Sequence, residues 1–114
     1  MSYINQITLQ GNLGKDAETK HTPDGTPVTT FSMATETATR KGPHVDWHDI
    51  VIFGELAEEA GSLRKGDNVR VEGTLRSRTY EKDGANRKVW EVRASAFEKL
   101  ERSARKAEPE GVPA

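Results

Sequence analysis

The stretch Asp46-Trp47-His48-Asp49-Ile50-Val51-Ile52-Phe53-Gly54-Glu55-Leu56-Ala57-Glu58-Glu59 decides how the rest of the chain is read. A β-branched run lies between two aromatic residues, and Gly54 separates it from a segment of helical character. Side chains alternate along a strand, so Trp47, Asp49, Val51 and Phe53 project to one face and His48, Ile50 and Ile52 to the other. Six residues of strand set the two rings roughly 20 Å apart. They are too distant to stack on each other and well spaced to receive different units of a polymer.

Working outward, Leu56, Ala57, Ala60 and Leu63 recur at helical spacing and predict one amphipathic helix of two to three turns. Arg64-Lys65 and Gly66 supply its stop. Beyond it Val69, Val71, Gly73 and Leu75 alternate with Arg70, Glu72, Thr74 and Arg76, a strand with one core face and one charged face. In the same register Arg76, Arg78 and Tyr80 fall on the polar side. Asp83-Gly84 marks a hairpin, with 81–86 as its loop, and the last strand is expected over 88–97. Residues 98–114 mix charges, alanines and prolines, which predicts a frayed helical extension and then a disordered end.

On the N-terminal side, residues 6–13 alternate apolar Ile7, Leu9 and Leu13 with polar Thr8, Gln10 and Asn12, a first strand. Residues 14–27 carry turn punctuation, with a tight turn at Thr22-Pro23-Asp24-Gly25. Residues 28–37 form a second strand with Phe31 and Met33 on one face, and Thr39-Arg40-Lys41-Gly42-Pro43 reads as a polar, basic loop that breaks pairing. Five strands with one short α-helix between the third and fourth predict an all-β fold, a Greek-key OB barrel, over residues 1–100, with a short charged tail over 101–114.

Composition bounds the function. A chain of 114 residues holds one small core, and no apolar run reaches the ~20 residues a membrane-spanning helix needs. The absence of cysteine excludes disulfides, cysteine-ligated zinc and thiol catalysis. Without a signal-peptide pattern, the expected location is the cytoplasm, with the nucleoid. The net charge of −1 means that any basic surface must arise from local clustering.

Such a cluster is available. Trp47, Phe53 and Tyr80 are interleaved with Arg40, Lys41, Arg64, Lys65, Arg76, Arg78 and Arg87. A single nucleic-acid strand offers flat bases and a charged backbone, and a sequence-tolerant binder meets them with aromatic platforms and cations between. A duplex hides the base faces. Taken one by one, the same residues read equally well as core aromatics and a solvated charged face.

In order along the chain stand Ile-Thr-Leu-Gln-Gly-Asn-Leu-Gly-Lys-Asp from Ile7 to Asp16, Thr-Pro-Asp-Gly-Thr-Pro-Val from Thr22, and Phe-Ser-Met-Ala-Thr from Phe31. Asp46-Trp47-His48, Phe-Gly-Glu-Leu-Ala-Glu from Phe53, Leu-Arg-Lys-Gly-Asp from Leu63 and Val-Glu-Gly-Thr-Leu-Arg-Ser-Arg-Thr-Tyr from Val71 follow. Over residues 3–97 the chain resembles the bacterial single-stranded DNA-binding proteins. The resemblance implies an OB fold without enzymatic activity or cofactor, assembled as a homotetramer or a dimer, that protects single-stranded DNA in replication, recombination and repair. It places Trp47, Phe53 and Tyr80 at stacking positions, Arg64, Lys65, Arg76 and Arg78 at phosphate contacts, and His48 at subunit association.

There are departures from the family's pattern. Thr39 stands where relatives often carry another stacking tryptophan, and the loop at 39–45 is short. Asp49 and Glu55 stand where many carry a cation, so affinity should be lower and lost sooner with salt. Trp90 has no family role. The chain ends Glu108-Pro109-Glu110-Gly111-Val112-Pro113-Ala114, without the linker and acidic tip that recruit repair enzymes, so recruitment by that route is not expected.

Two rival readings exist. A primosomal restart accessory or assembly adaptor on the same fold would depend on protein contacts, which the three rings argue against. A metal-dependent enzyme would use the alternating His44, Asp46 and His48, but no nucleophile or acid/base pair accompanies them, and the expected metal set is none.

Overall fold

The computed structural model describes residues 2–100. Its elements are β1 (Ile7–Leu13), β2 (Glu18–His21), β3 (Pro27–Thr39), β4 (Gly42–Phe53), α1 (Glu55–Ala60), β5 (Asn68–Lys82) and β6 (Ala85–Leu100). The sheet runs β1-β5-β6-β4-β3-β2 and closes on itself where Asn12 and Leu13 of β1 pair with Ala34 and Met33 of β3. Five strands thus form the closed barrel, and β2 is a flap on β3. Every strand pair is antiparallel except β4–β6, which meet at Ile50↔Val92 and Val51↔Arg93.

The predicted alternation sets the inside of the barrel. Leu13, Phe31, Met33, Ile50, Ile52, Val69, Val71, Val92 and Ala94 are buried, and Ala57, Ala60 and Leu63 cap one end. Two glycines make the closure geometrically feasible. A Cβ on Gly11 would lie 2.0 Å from the Ala34 carbonyl oxygen, and one on Gly73 would lie 2.1 Å from that of Arg93. Glycine is what lets neighbouring backbones approach this closely.

Several expectations are corrected. Glu18–His21 is a strand rather than part of a turn region, and all four of its residues are exposed, so it carries no apolar signal. The expected loop at 39–43 is a two-residue turn at Arg40-Lys41, with pairing continuing to Thr39↔Gly42. Pro43 is tolerated because this part of β4 pairs only with β3, which leaves one edge free. The helix has six residues, under two turns, because the chain turns away at Gly61; Leu63 is buried beyond its end. The loop at 81–86 shrinks to Asp83-Gly84, both with positive φ (53° and 79°), the conformation of a tight hairpin turn.

Residues 98–100 extend β6 rather than starting a helix. They pair with 68–70, and Arg70 forms a 2.6 Å ion pair with Glu98. Residues 101–114, read as a disordered tail, lie outside the described residues. Leu75, expected in the core, is 40% exposed, because the β5–β6 ribbon leaves the barrel beyond a bulge at Glu72/Gly73. Among the described residues no helix is long and apolar enough to cross a membrane.

Candidate nucleic-acid interface

Register assigns the faces. Ile50 and Ile52 are fully buried, so Trp47, Asp49, Val51 and Phe53 look outward from β4 as alternation requires. Beside them on β6, Val51 pairs with Arg93, which places Val89, Glu91 and Arg93 on the same outer face. On β5, Arg76, Arg78 and Tyr80 pair with Glu91, Val89 and Arg87 and so share that face. The sheet therefore brings together Trp47, Phe53, Tyr80, Arg76, Arg78 and Arg87.

Trp47 is 61% exposed, yet its indole lies against Gly14. A Cβ there would sit 2.5 Å from ring atom Cζ3 and 2.7 Å from Cη2. The glycine serves as a flat seat for one side of the ring. Gly14→Ala is expected to tilt the indole while changing stability by under about 1 kcal/mol, since the obstacle is a mobile side chain rather than backbone. A shifted tryptophan emission with a Tm within about 5 °C of wild type checks this; unchanged emission would contradict it.

Phe53 is 39% exposed, and the Arg93 guanidinium carbon lies 4.3 Å from its ring centroid. In the sequence Arg93 reads only as one more outward charge between Val92 and Ala94. Between the two ring positions the face is acidic. Asp49 and Glu91 lie there, and Glu91, its side chain only 12% exposed, holds Arg78 through a 2.9 Å ion pair. These residues line a groove of about 890 Å³ with Lys15, Asp16, Glu18 and Lys65 along its rim.

Other expected residues are more distant. Arg40 and Lys41 sit at the tip of the β3–β4 hairpin, five strand residues and about 17 Å beyond Trp47. Thr39 adjoins them and its hydroxyl bonds the Gly42 carbonyl. Arg64 and Lys65 lie in the loop after α1 and are bound to Asp16, by a 3.5 Å ion pair and a 2.8 Å bond from the Lys65 amide. Glu55 is in the first turn of α1.

His48 is half-buried on the core side of β4, with Nε2 2.9 Å from Thr35 Oγ1. His44 instead pairs with Asp46 at 3.1 Å, so the three residues of the metal reading divide between two partners. Among the described residues no group of three or more His, Asp or Glu could hold a metal ion. Trp90, 55% exposed, pairs with Ser77 on the opposite face of the ribbon, with Lys88 Nζ 5.7 Å from its ring.

Residues 4–100 match the single-strand binding protein family. The chain is 39% identical over 108 residues to Single-stranded DNA-binding protein 1 of Xylella fastidiosa (strain 9a5c), covering 88% of this chain and 79% of that protein. In three dimensions it is similar to the Plasmodium falciparum SSB in its complex with ssDNA. The TM-score is 0.83 at 28% identity, over 89% of this chain and 98% of that one.

Proposed function

We propose, for a chain that belongs to the single-strand binding protein family, that it binds single-stranded DNA with little sequence preference and protects it in replication, recombination and repair. It acts by binding rather than by catalysis, as an oligomer, a homotetramer, in the cytoplasm with the nucleoid. Residues 1–100 are the binding domain and 101–114 a short charged tail. The observation that carries the reading is the outer face of β4 and its neighbours, where a 61%-exposed indole, a second ring and several arginines share one surface.

The mechanism follows from the chemistry of that face. Bases stack on Trp47, Phe53 and Tyr80, each stack contributing roughly 1–3 kcal/mol whatever the base. Arg76, Arg78, Arg87, Arg64 and Lys65 neutralise phosphates and release counterions, which makes affinity fall with salt. Arg40 and Lys41 at the hairpin tip take a more distant stretch of the same strand. The occluded length is several nucleotides per domain, within the ~4–16 of such folds. His48 serves subunit association.

The acidic middle of the face opposes this binding. Glu91 neutralises Arg78 in the free protein, so a phosphate must compete with a carboxylate for the same guanidinium. Glu91→Gln should tighten binding at low salt by roughly fivefold and steepen the salt dependence by about 0.7 in log–log slope, the contribution of one further phosphate contact on a single strand. Titrations of labelled oligo-dT over a salt series test this, and weaker binding by the variant would contradict it.

The reading as a whole is tested by comparing single-stranded and duplex oligonucleotides of equal length. Single strands should bind much more tightly than duplex at every salt concentration at which binding is measurable. An equal affinity for both would remove stacking from the account, and binding of neither would favour an adaptor that works through protein contacts.

A further inference from the structure

Phe53, unlike Trp47, has a cation over its ring among the described residues. The Arg93 guanidinium lies 4.3 Å from its ring centroid, within the distance at which a cation is drawn to an aromatic face. The two residues come from different strands. Val51 and Arg93 are partners across the parallel β4–β6 pair, and Arg93 reaches diagonally along the outer face to Phe53. Arg93 Nε is buried and has no hydrogen-bond partner among the described residues. Arg78, Arg64 and Arg70 each form an ion pair with a carboxylate, whereas packing on the ring holds Arg93. Its guanidinium is therefore a planar cation that no carboxylate among the described residues holds.

We infer that Arg93 is a DNA-contacting residue, and that it and Phe53 act as one composite platform, ring and guanidinium together receiving a base by stacking while the guanidinium hydrogen-bonds an adjacent phosphate. This rests on the proposed binding of single-stranded DNA and adds a residue and a mode of contact to it. A guanidinium suits the task because it is flat, permanently charged and weakly hydrated, so it stacks and pairs with phosphate at once. An ammonium keeps the charge without the plane. The composite platform also sets the charge pattern of the face, with a cation at the Phe53 end offsetting Asp49 and Glu91 in the middle.

The test uses the full chain as wild type, Arg93→Leu, Arg93→Lys, Phe53→Leu and the Arg93→Leu/Phe53→Leu double variant, each titrated against labelled oligo-dT over a salt series and each melted to verify the fold. Arg93→Leu should weaken binding roughly tenfold, as the loss of a stacked base does. It should also reduce the log–log salt slope by about 0.7. Arg93→Lys should restore the slope but not the affinity. The double variant should bind within about twofold of the weaker single variant, because residues acting as a unit are not additive. Arg93→Leu binding as wild type does, in affinity and slope, would reduce Arg93 to a packing partner of the ring. Tighter binding would mean that it shields Phe53, and additive losses would mean two separate contacts; each overturns the inference. Failure of the wild type to bind any single strand would sink the functional reading itself, a result distinct from all of these.

Discussion

Trp47→Ala should lower affinity for oligo-dT by one to two orders of magnitude and leave thermal unfolding nearly unchanged. The two effects separate because the indole contributes little to the core. It is 61% exposed and rests on Gly14, whereas the inward side of the same strand is filled by Ile50 and Ile52. Removing an exposed side chain costs a fold roughly 0.5 kcal/mol or less, while the loss of one stacked base costs about 1–3 kcal/mol of binding. Anisotropy of a labelled oligonucleotide with a parallel melting curve measures both. A variant that binds normally would show that Trp47 is an ornament of the surface, and one that fails to fold would show that the ring is structural.

The second large effect is on the barrel. Gly11→Ala should destabilise the fold by about 3 kcal/mol, near the top of the range for overpacking, because its Cβ would fall 2.0 Å from the Ala34 carbonyl oxygen and 2.9 Å from the carbonyl carbon. Backbone cannot swing aside as a side chain can. The collision lies at the seam where Asn12 pairs with Ala34, and Ala34 in turn pairs with Trp47. Strain at this seam therefore reaches the binding face, and the variant should lose affinity as well as stability. The expected fall in Tm is roughly 15 °C, measured at fixed protein concentration because an oligomer's Tm depends on it. A Tm within a degree or two of wild type would mean that the seam can open without cost.

The parts of the molecule legible in the sequence are those where one face is buried and the other wet. Ile7, Leu9 and Leu13, and Ile50 and Ile52 between Trp47 and Phe53, carry a period-two pattern because the barrel wall imposes it. Where both faces meet solvent the pattern vanishes, and from sequence Glu18–His21 and the outer halves of the β3–β4 and β5–β6 hairpins resemble turns or shorter strands. The helix was overestimated because Leu63 continues its apolar spacing after the chain has turned at Gly61.

At the site, Trp47, Phe53 and Tyr80 were legible as outward rings, since parity on a strand needs no tertiary knowledge. The partners of the cations were less accessible. Arg78 and Glu91 lie diagonally across a hairpin whose register follows from the Asp83-Gly84 turn, so that turn implies the pair. Arg93 over Phe53 depends on the parallel β4–β6 register, which barrel closure creates and no local signal announces.

The central claim is that a single strand of DNA lies on the outer face of β4 with a base against Trp47. It is tested most directly by intrinsic fluorescence of the Trp90→Phe variant, in which Trp47 is the remaining tryptophan, titrated with oligo-dT of increasing length and with a duplex control. Single strands should quench strongly, saturating at a length of several nucleotides per domain, and duplex should not quench. Binding of oligo-dT with no change in Trp47 emission would place the DNA elsewhere on the molecule.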